Sequence, residues 1–403
     1  MPRKSLTPAQ AQQRIAVLAR THVTPFSDRE DLGRKLDKRI YVDRLDGRVS
    51  VQLMLEGMKV SWTGIYDFAQ QVRGAVLRMG GIAGVGTHAE HRFKGYSSIV
   101  MENASRWMRA EGYDVAMLYG ITGFYGRFGY AEAFPSVWYE LPVAEAERAK
   151  SSNLKFVPFA DEHLSAVLEM YNRSNVGRTG PTLRPMKAWV PFRRDKPWGL
   201  QVTAQVGLDR AGHAVAYLAH DTADPASIVE VGYRGREAFG DLVRQAAALA
   251  WAQRKEKITF ILAYDEPLMD WAAPLGLTKH VHWRTDGGGM VRIINLSSVL
   301  RKIGHGMARR LGGSGQMLVK TNLETVLLRW KDDAMEVVES PRTPRQAARV
   351  GMPQWALAQL IYGYRSASLL AQDGVLRAER PVVALLDQML PAMVPYHSRV
   401  DVF

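Results

Sequence analysis

The chain has 403 residues, of which 47% are apolar and 23% charged, with a formal net charge of +13. At about 150 residues per domain it should form two or three domains. It contains no cysteine, which excludes disulfides, thiolate metal sites and a cysteine nucleophile and suits a reducing, cytoplasmic setting. No apolar run approaches the ~18 residues that span a membrane, and the basic start lacks an apolar signal segment. Lys and Arg are spread along the chain rather than gathered into a stripe, so neither a membrane nor a nucleic acid is an expected partner.

From about residue 12 to 150 the pattern is mixed α and β. Helical starts give way to RIYVDRLDGRVSVQLMLEG, two strand-like runs about an Asp46-Gly47 turn. GAVLRMGGIAGVGTH (74–88) reads as a glycine-studded strand. A helix is expected at about 96–110, where Val100, Ala104, Trp107 and Met108 share a face and Gly112 stands past its end. YDVAMLYG (113–120) is a short buried strand, followed by ITGFYGRFGY (121–130), four aromatics among glycines with neither a helix period nor a strand alternation. The charged run 143–155 reads as a linker. Residues 155–290 repeat the mixed pattern: helix DEHLSAVLEMYNRS, strands within LQVTAQVGLDRAGHAVAYLAH, helix AFGDLVRQAAALAWAQR and strand ITFILAY, without a glycine-rich strand-to-helix turn. A third unit from about 291 carries the strand-like runs QMLVKT, ETVLLRWK and AMEVVES and the helical runs PQWALAQLIYGY and PVVALLDQML. The class is therefore α/β (α+β) with three domains: 1–150, 151–290 and 291–403.

The first informative motif is HRFKGYSS, residues 91–98. A strand running into such a turn exposes the unpaired amides and positive dipole end of the following helix, which suits a pyrophosphate. Gly95 permits close backbone approach, and Arg92 and Lys94 add charge; an ordinary loop before a helix would have the same composition. Arg92-x-x-Gly95-x-Ser97 resembles the acetyl-CoA-cradling R/Q-x-x-G-x-G/A motif of GNAT-type N-acetyltransferases, departing only at Ser97. About thirty residues on, Phe124-Tyr125-x-x-x-Gly129-Tyr130 resembles the F-Y-x-x-x-G-F/Y motif of the same fold. More narrowly, nearly the whole chain resembles the enhanced-intracellular-survival acetyltransferases of actinobacteria, through GVGTHAEHRFKGYSS, FYGRFGY, MVRIINL, QWALAQLIYGYRSASLLAQDGVL and the ending PYHSRVDVF.

The resemblance implies two tandem GNAT-like domains, the second degenerate, then a sterol-carrier-protein-like domain, assembled as a homohexamer. It implies acetyl-CoA as co-substrate and no metal. The pantetheine would pair with the backbone of Val85, Gly86 and Thr87. The pyrophosphate would sit on the turn from Arg92 through Phe93, Lys94, Gly95, Tyr96 and Ser97 to Ser98, with Gly120 and Ile121 touching the cofactor.

A protonated amine, with a pKa of about 10.4, must lose its proton before it attacks a thioester, and the departing thiolate must gain one. Tyr125 is the expected general acid. The strand before the turn, MGGIAGVGT, holds no carboxylate, and His88 and Glu90 stand on the turn side. The resemblance implies that the terminal carboxylate, on Phe403, is the general base. With no cysteine to carry the acetyl group, transfer would be direct within a ternary complex. His280-x-His282 reads as strand surface rather than a metal pair, and the glycine runs at 287–289 and 312–315 read as turns.

The expected function is acetyl transfer to a primary amine of an aminoglycoside, a polyamine or a lysine. The alternative is a lipid-binding carrier working through the third domain, with vestigial acetyltransferase domains. The segment 22–31, with Phe26, Asp28, Glu30 and Asp31, could favour a cationic acceptor.

Overall fold

The computed structural model describes residues 39–45, 47–186, 189–193, 199–339 and 347–403. The helical starts before residue 39, the segment 22–31 and Asp46 lie outside the described residues. Two compact units form, one from the residues up to Phe134 together with Arg284–Pro395 and Phe403, the other from Pro135–Trp283 and Tyr396–Val402.

The first unit begins with strands β1 (Ile40–Leu45), β2 (Arg48–Leu55), β3 (Met58–Val72) and β4 (Ala75–Thr87), paired antiparallel in succession. Helix α1 (Tyr96–Ala110) follows, then β5 (Val115–Tyr119) and β6 (Ala131–Phe134). The expected helix is thus present, with Val100, Ala104, Trp107 and Met108 buried against the sheet. Gly112, at φ +78°, takes the left-handed conformation just past its end. β7 (Gly289–Ile293) enters the same sheet between β5 and β6, antiparallel to both, so the order is β1-β2-β3-β4-β5-β7-β6.

The other face of this sheet packs on the C-terminal part of the unit. Leu77, Met79, Val115 and Met117 share a core with Val299, Leu300 and Ile303 of helix α2 (Leu296–Leu311). The expected strands here are β8 (Ser314–Lys320), β9 (Thr325–Lys331) and β10 (Ala334–Glu339), joined by β11 (Ala348–Gly351) in the order β10-β9-β8-β11. Helices α3 (Gln354–Tyr362), α4 (Ala367–Gln372) and α5 (Arg380–Met389) complete it. Arg73, in the β3–β4 turn, donates to the carbonyls of Leu360 and Ile361 at the end of α3 and to that of Pro391. The carbonyls at a helix C-terminus form its negative dipole end, so a cation is well placed there beside the Gly363 amide that also donates to Leu360.

In the second unit a seven-stranded sheet runs in the order Thr278–His282, Ser136–Pro142, Lys257–Phe260, Ser227–Tyr233, Ala214–Asp221, Val202–Leu208, Lys155–Pro158. The expected helices are Leu164–Ser174 and Phe239–Ala252. The run expected as a linker is partly built into this unit: Val143–Ala146 is a helical turn with Val143 and Ala146 buried. The apolar C-terminal segment supplies a buried charge. Arg184 donates to both oxygens of Glu230 at 2.7 and 2.5 Å and to Asp401 at 2.8 Å. Tyr171, Thr182 and Ser398 donate to the same two carboxylates. The guanidinium lies 3.5 Å from the Tyr171 ring centroid.

Candidate active site

β4 and β5 run parallel and pair only from Met79↔Val115 to Gly81↔Met117. β4 nevertheless continues to Thr87 and β5 to Tyr119, so the two strands separate beyond Gly81. A bulge marks the departing part of β4. Trp62 faces Gly86 and Gly64 faces Ala83, which sets Gly84 and Val85 against Thr63 alone. Gly84 has φ +62°, the left-handed conformation such a bulge assigns to glycine, and the local twist increases there.

A groove of about 580 Å³ opens in this gap, lined by Val85, Gly86 and Thr87 on one side and Ile121, Phe124 and Tyr125 on the other. Trp62 closes its floor, lying against Gly86, where a Cβ would fall 2.5 Å from the indole. Arg92 and Ser97 line this groove and also a second one of about 550 Å³, together with Phe93, Gly95, Tyr96, Ser98 and Arg127.

The second groove is built by a helix start. Gly95, at φ +77°, is the N-cap of α1, and no side chain caps the first amides. A fifteen-residue helix left open in this way presents donors and positive potential to an anion. Phe93 also has positive φ, +62°, which is strained for a non-glycine residue, and its ring stands in solvent. Lys94 is exposed. Arg127 is exposed over the rings of Phe124 and Phe128, at 4.3 and 4.8 Å. Neither Arg92 nor Arg127 has a carboxylate partner among the described residues.

The stretch 121–130 is more regular than its composition suggests. Thr122–Tyr125 is one helical turn, continued by a 3₁₀ turn over Gly126–Phe128, and Gly129 (φ +83°) ends it. Tyr125 is half-buried, with its ring covering Gly120 so closely that a Cβ there would meet it at 2.2 Å. Phe124 and Tyr130 stand edge-on to it. Its hydroxyl makes no hydrogen bond among the described residues, and burial raises its pKa above the ordinary tyrosine value.

Phe403 does not line either groove. Its ring lies on Gly81, where β4 and β5 part, 2.8 Å from the place a Cβ would occupy, and against Phe68 and Tyr119 at centroid distances of 5.1 and 6.0 Å. No Asp or Glu lines either groove. Of the expected residues, Val85, Gly86, Thr87, Arg92, Phe93, Gly95, Tyr96, Ser97, Ser98, Ile121 and Tyr125 line the two grooves, whereas Lys94, Gly120 and Phe403 line neither, Gly120 lying beneath Tyr125 and Phe403 at the vertex. Trp62 and Arg127 escaped the sequence reading, and Phe124 entered it only as part of the FYGRFGY motif. Only Arg127 left a signal, as a cation set between two aromatics in FYGRF. Among the described residues no group of three or more His, Asp or Glu is placed to hold a metal. His280 instead stacks on Trp138 at 4.8 Å.

Residues 4–133 match the acetyltransferase (GNAT) domain family. No curated protein is similar to the chain in sequence. Among solved structures, a conserved protein of Enterococcus faecalis described as a probable N-acyltransferase superposes with a TM-score of 0.73 at 18% identity, over 89% of this chain and 90% of its own. A GCN5-related N-acetyltransferase from Kribbella flavida gives 0.70 at 17% identity, over 88% and 87%. Eis1 from Mycobacterium abscessus gives 0.64 at 17% identity, over 97% of both chains. At these identities the likeness is one of fold, a mixed α/β architecture with GNAT-like sheets. Residues 4–133 carry an acetyltransferase domain of the GNAT type, and the chain is an acetyltransferase enzyme.

Proposed function

We propose that the protein transfers acetyl from acetyl-CoA to a primary amine of an aminoglycoside, polyamine or lysine type, directly within a ternary complex. The observation that carries this is the separation of β4 from β5 beyond Gly81, because it leaves a strand edge open between an uncapped helix start and Tyr125. The pantetheine amides take that edge at Val85, Gly86 and Thr87. The pyrophosphate takes the turn Arg92–Ser98, and Ile121 closes the thioester end over Gly120. Tyr125 is the general acid for the departing thiolate. The carboxylate of Phe403, whose ring sits at the vertex, is the general base for the amine.

The site residues fit such a co-substrate: cations without a carboxylate partner and helix amides face the groove that would hold phosphates, and a slot free of carboxylates leads to the tyrosine. Arg127 joins Arg92 as a phosphate contact. Arg92→Gln and Arg127→Gln should each weaken acetyl-CoA binding by about tenfold, the lower end for a charge-assisted hydrogen bond. Both variants should also flatten the salt dependence of Kd in isothermal titration calorimetry.

The second unit supports the reading of a degenerate GNAT-like domain at 151–290. Its strand Ser227–Tyr233, helix Phe239–Ala252 and parallel strand Lys257–Phe260 repeat the β4–α1–β5 order. Its connecting residues, 234–238, hold Arg234 and Arg236 as well as Glu237, but Arg234 pairs with Glu169 and the Glu237 carboxylate lies over Gly235, an anion where a phosphate would need donors. The α+β segment 291–403 corresponds to the sterol-carrier-like domain, and the assembly is a cytoplasmic homohexamer.

The functional test measures free CoA released with a panel of aminoglycosides, polyamines and lysine peptides. At least one amine class should release it, and acetyl-CoA should raise the melting temperature; silence on both counts removes the enzymatic reading of this site. Deletion of Phe403 should lower turnover at least about tenfold, as loss of a general base does, while acetyl-CoA Kd stays unchanged. Full turnover after the deletion rejects the terminal carboxylate as base.

A further inference from the structure

The helical turn that carries Tyr125 has four residues, too few to hold a shape by helix propensity. It closes on itself through the amides of Phe124 and Tyr125, which both donate to the Ile121 carbonyl at 3.0 Å, and that of Gly126, which donates to the Thr122 carbonyl. Its first residue, however, is gripped from two sides. The Thr122 amide donates to Asp286 Oδ1 at 2.6 Å, and Thr122 Oγ1 donates to Glu132 Oε1 at 3.2 Å. The same Glu132 oxygen accepts the amide of Gly288 at 3.2 Å. One carboxylate on β6 therefore ties the start of the tyrosine turn to the loop before β7.

Glu132 is only 6% exposed, and its second oxygen is buried with no hydrogen-bond partner among the described residues. A Cβ on Gly288 would come within 2.2 Å of that oxygen, so the middle glycine of the 287–289 run is what admits the carboxylate. Burying a carboxyl with one oxygen unpaired is unfavourable. A plain surface turn has no need of it, whereas a turn that must hold one hydroxyl in place does.

We propose that Glu132 and Asp286 are positioning residues that hold the Thr122–Tyr125 turn, and through it the Tyr125 hydroxyl, at the thioester end of the groove. The proposal rests on Tyr125 acting as the general acid. Thr122 is the shared contact, three residues before the tyrosine.

The test is a double-mutant cycle. Thr122→Ala and Glu132→Ala should each lower kcat roughly 10- to 100-fold, the effect of about 1 Å of misplacement. The KM of the amine and the calorimetric Kd of acetyl-CoA should stay within about twofold of wild type. Glu132→Gln should recover most of the rate, because its amide oxygen still accepts from Thr122 and Gly288. In a Tyr125→Phe background the same substitutions should change kcat by less than about twofold, since the group they position is gone. Effects undiminished in that background overturn the positioning role alone, as does a raised KM for the amine, which would make the carboxylates acceptor ligands. Wild-type kcat in Tyr125→Phe by itself removes the acid reading and the proposal with it. Should Glu132→Ala fail to fold, Thr122→Ala carries the cycle.

Discussion

Tyr125→Phe should lower kcat by roughly 10²- to 10⁴-fold, the range that positioned proton transfer contributes, and leave acetyl-CoA affinity unchanged. The substitution removes one hydroxyl and keeps the ring, so the packing over Gly120 and beside Phe124 and Tyr130 survives. What it removes is a hydroxyl at the groove wall that makes no hydrogen bond to the described protein. A tyrosine whose pKa is raised by burial is protonated throughout the neutral range and can give its proton to a thiolate. The sign follows for pH: activity should hold as pH rises and fall only above the ordinary tyrosine value of about 10. Single-turnover kinetics across pH, with calorimetric Kd for each enzyme, measures both. Equal kcat for the two enzymes would exclude the phenol as donor.

Arg184→Ala should destabilise the second unit by about 3–5 kcal/mol, as removing one partner of a buried ion pair does. Arg184, Glu230 and Asp401 have side chains only 1%, 3% and 4% exposed. Without the guanidinium two carboxylates would remain buried together. Burial by itself raises the pKa of Asp401, but the Arg184 charge and hydrogen bonds outweigh it and hold the carboxyl below its usual range. A group depressed in this way stabilises the fold above its unfolded pKa, and that contribution is lost as pH falls through the folded value. Arg184→Lys should recover little, because a single ammonium cannot make the paired fork to Glu230 and also reach Asp401. Chemical denaturation followed by tryptophan fluorescence tests this, Trp189 being 4.5 Å from the guanidinium. A loss below about 1 kcal/mol would place the network among the weak surface pairs.

Local signals carried much of this molecule in the sequence. The strand 74–88 and helix 96–110 are written in apolar spacing and glycine placement, and the structure has Ala75–Thr87 and Tyr96–Ala110. The turn around Gly95 was legible for the same reason, since its conformation depends on neighbours in the chain. Long-range placement was not. Nothing in GMVRI announces a strand that pairs with Val115–Tyr119 far back in the chain, because a run buried at every position but Arg292 has no alternation to read. Glu132 was invisible as well: a lone acid in YAEAF looks solvated until the loop that covers it is known. ITGFYGRFGY showed no period because one helical turn is too short to have one.

The position of β7 bears on how the acetyltransferase domain can be handled in isolation. Its backbone completes the sheet between β5 and β6, yet it arrives more than 150 residues after β6 in the sequence. A fragment ending at residue 150 would carry both the Arg92–Ser98 turn and the Phe124–Tyr130 stretch but lack a central strand, and would expose two unsatisfied strand edges that invite pairing with other chains. Such a fragment is expected to be recovered as aggregate, whereas supplying 289–293 by circular permutation would close the sheet.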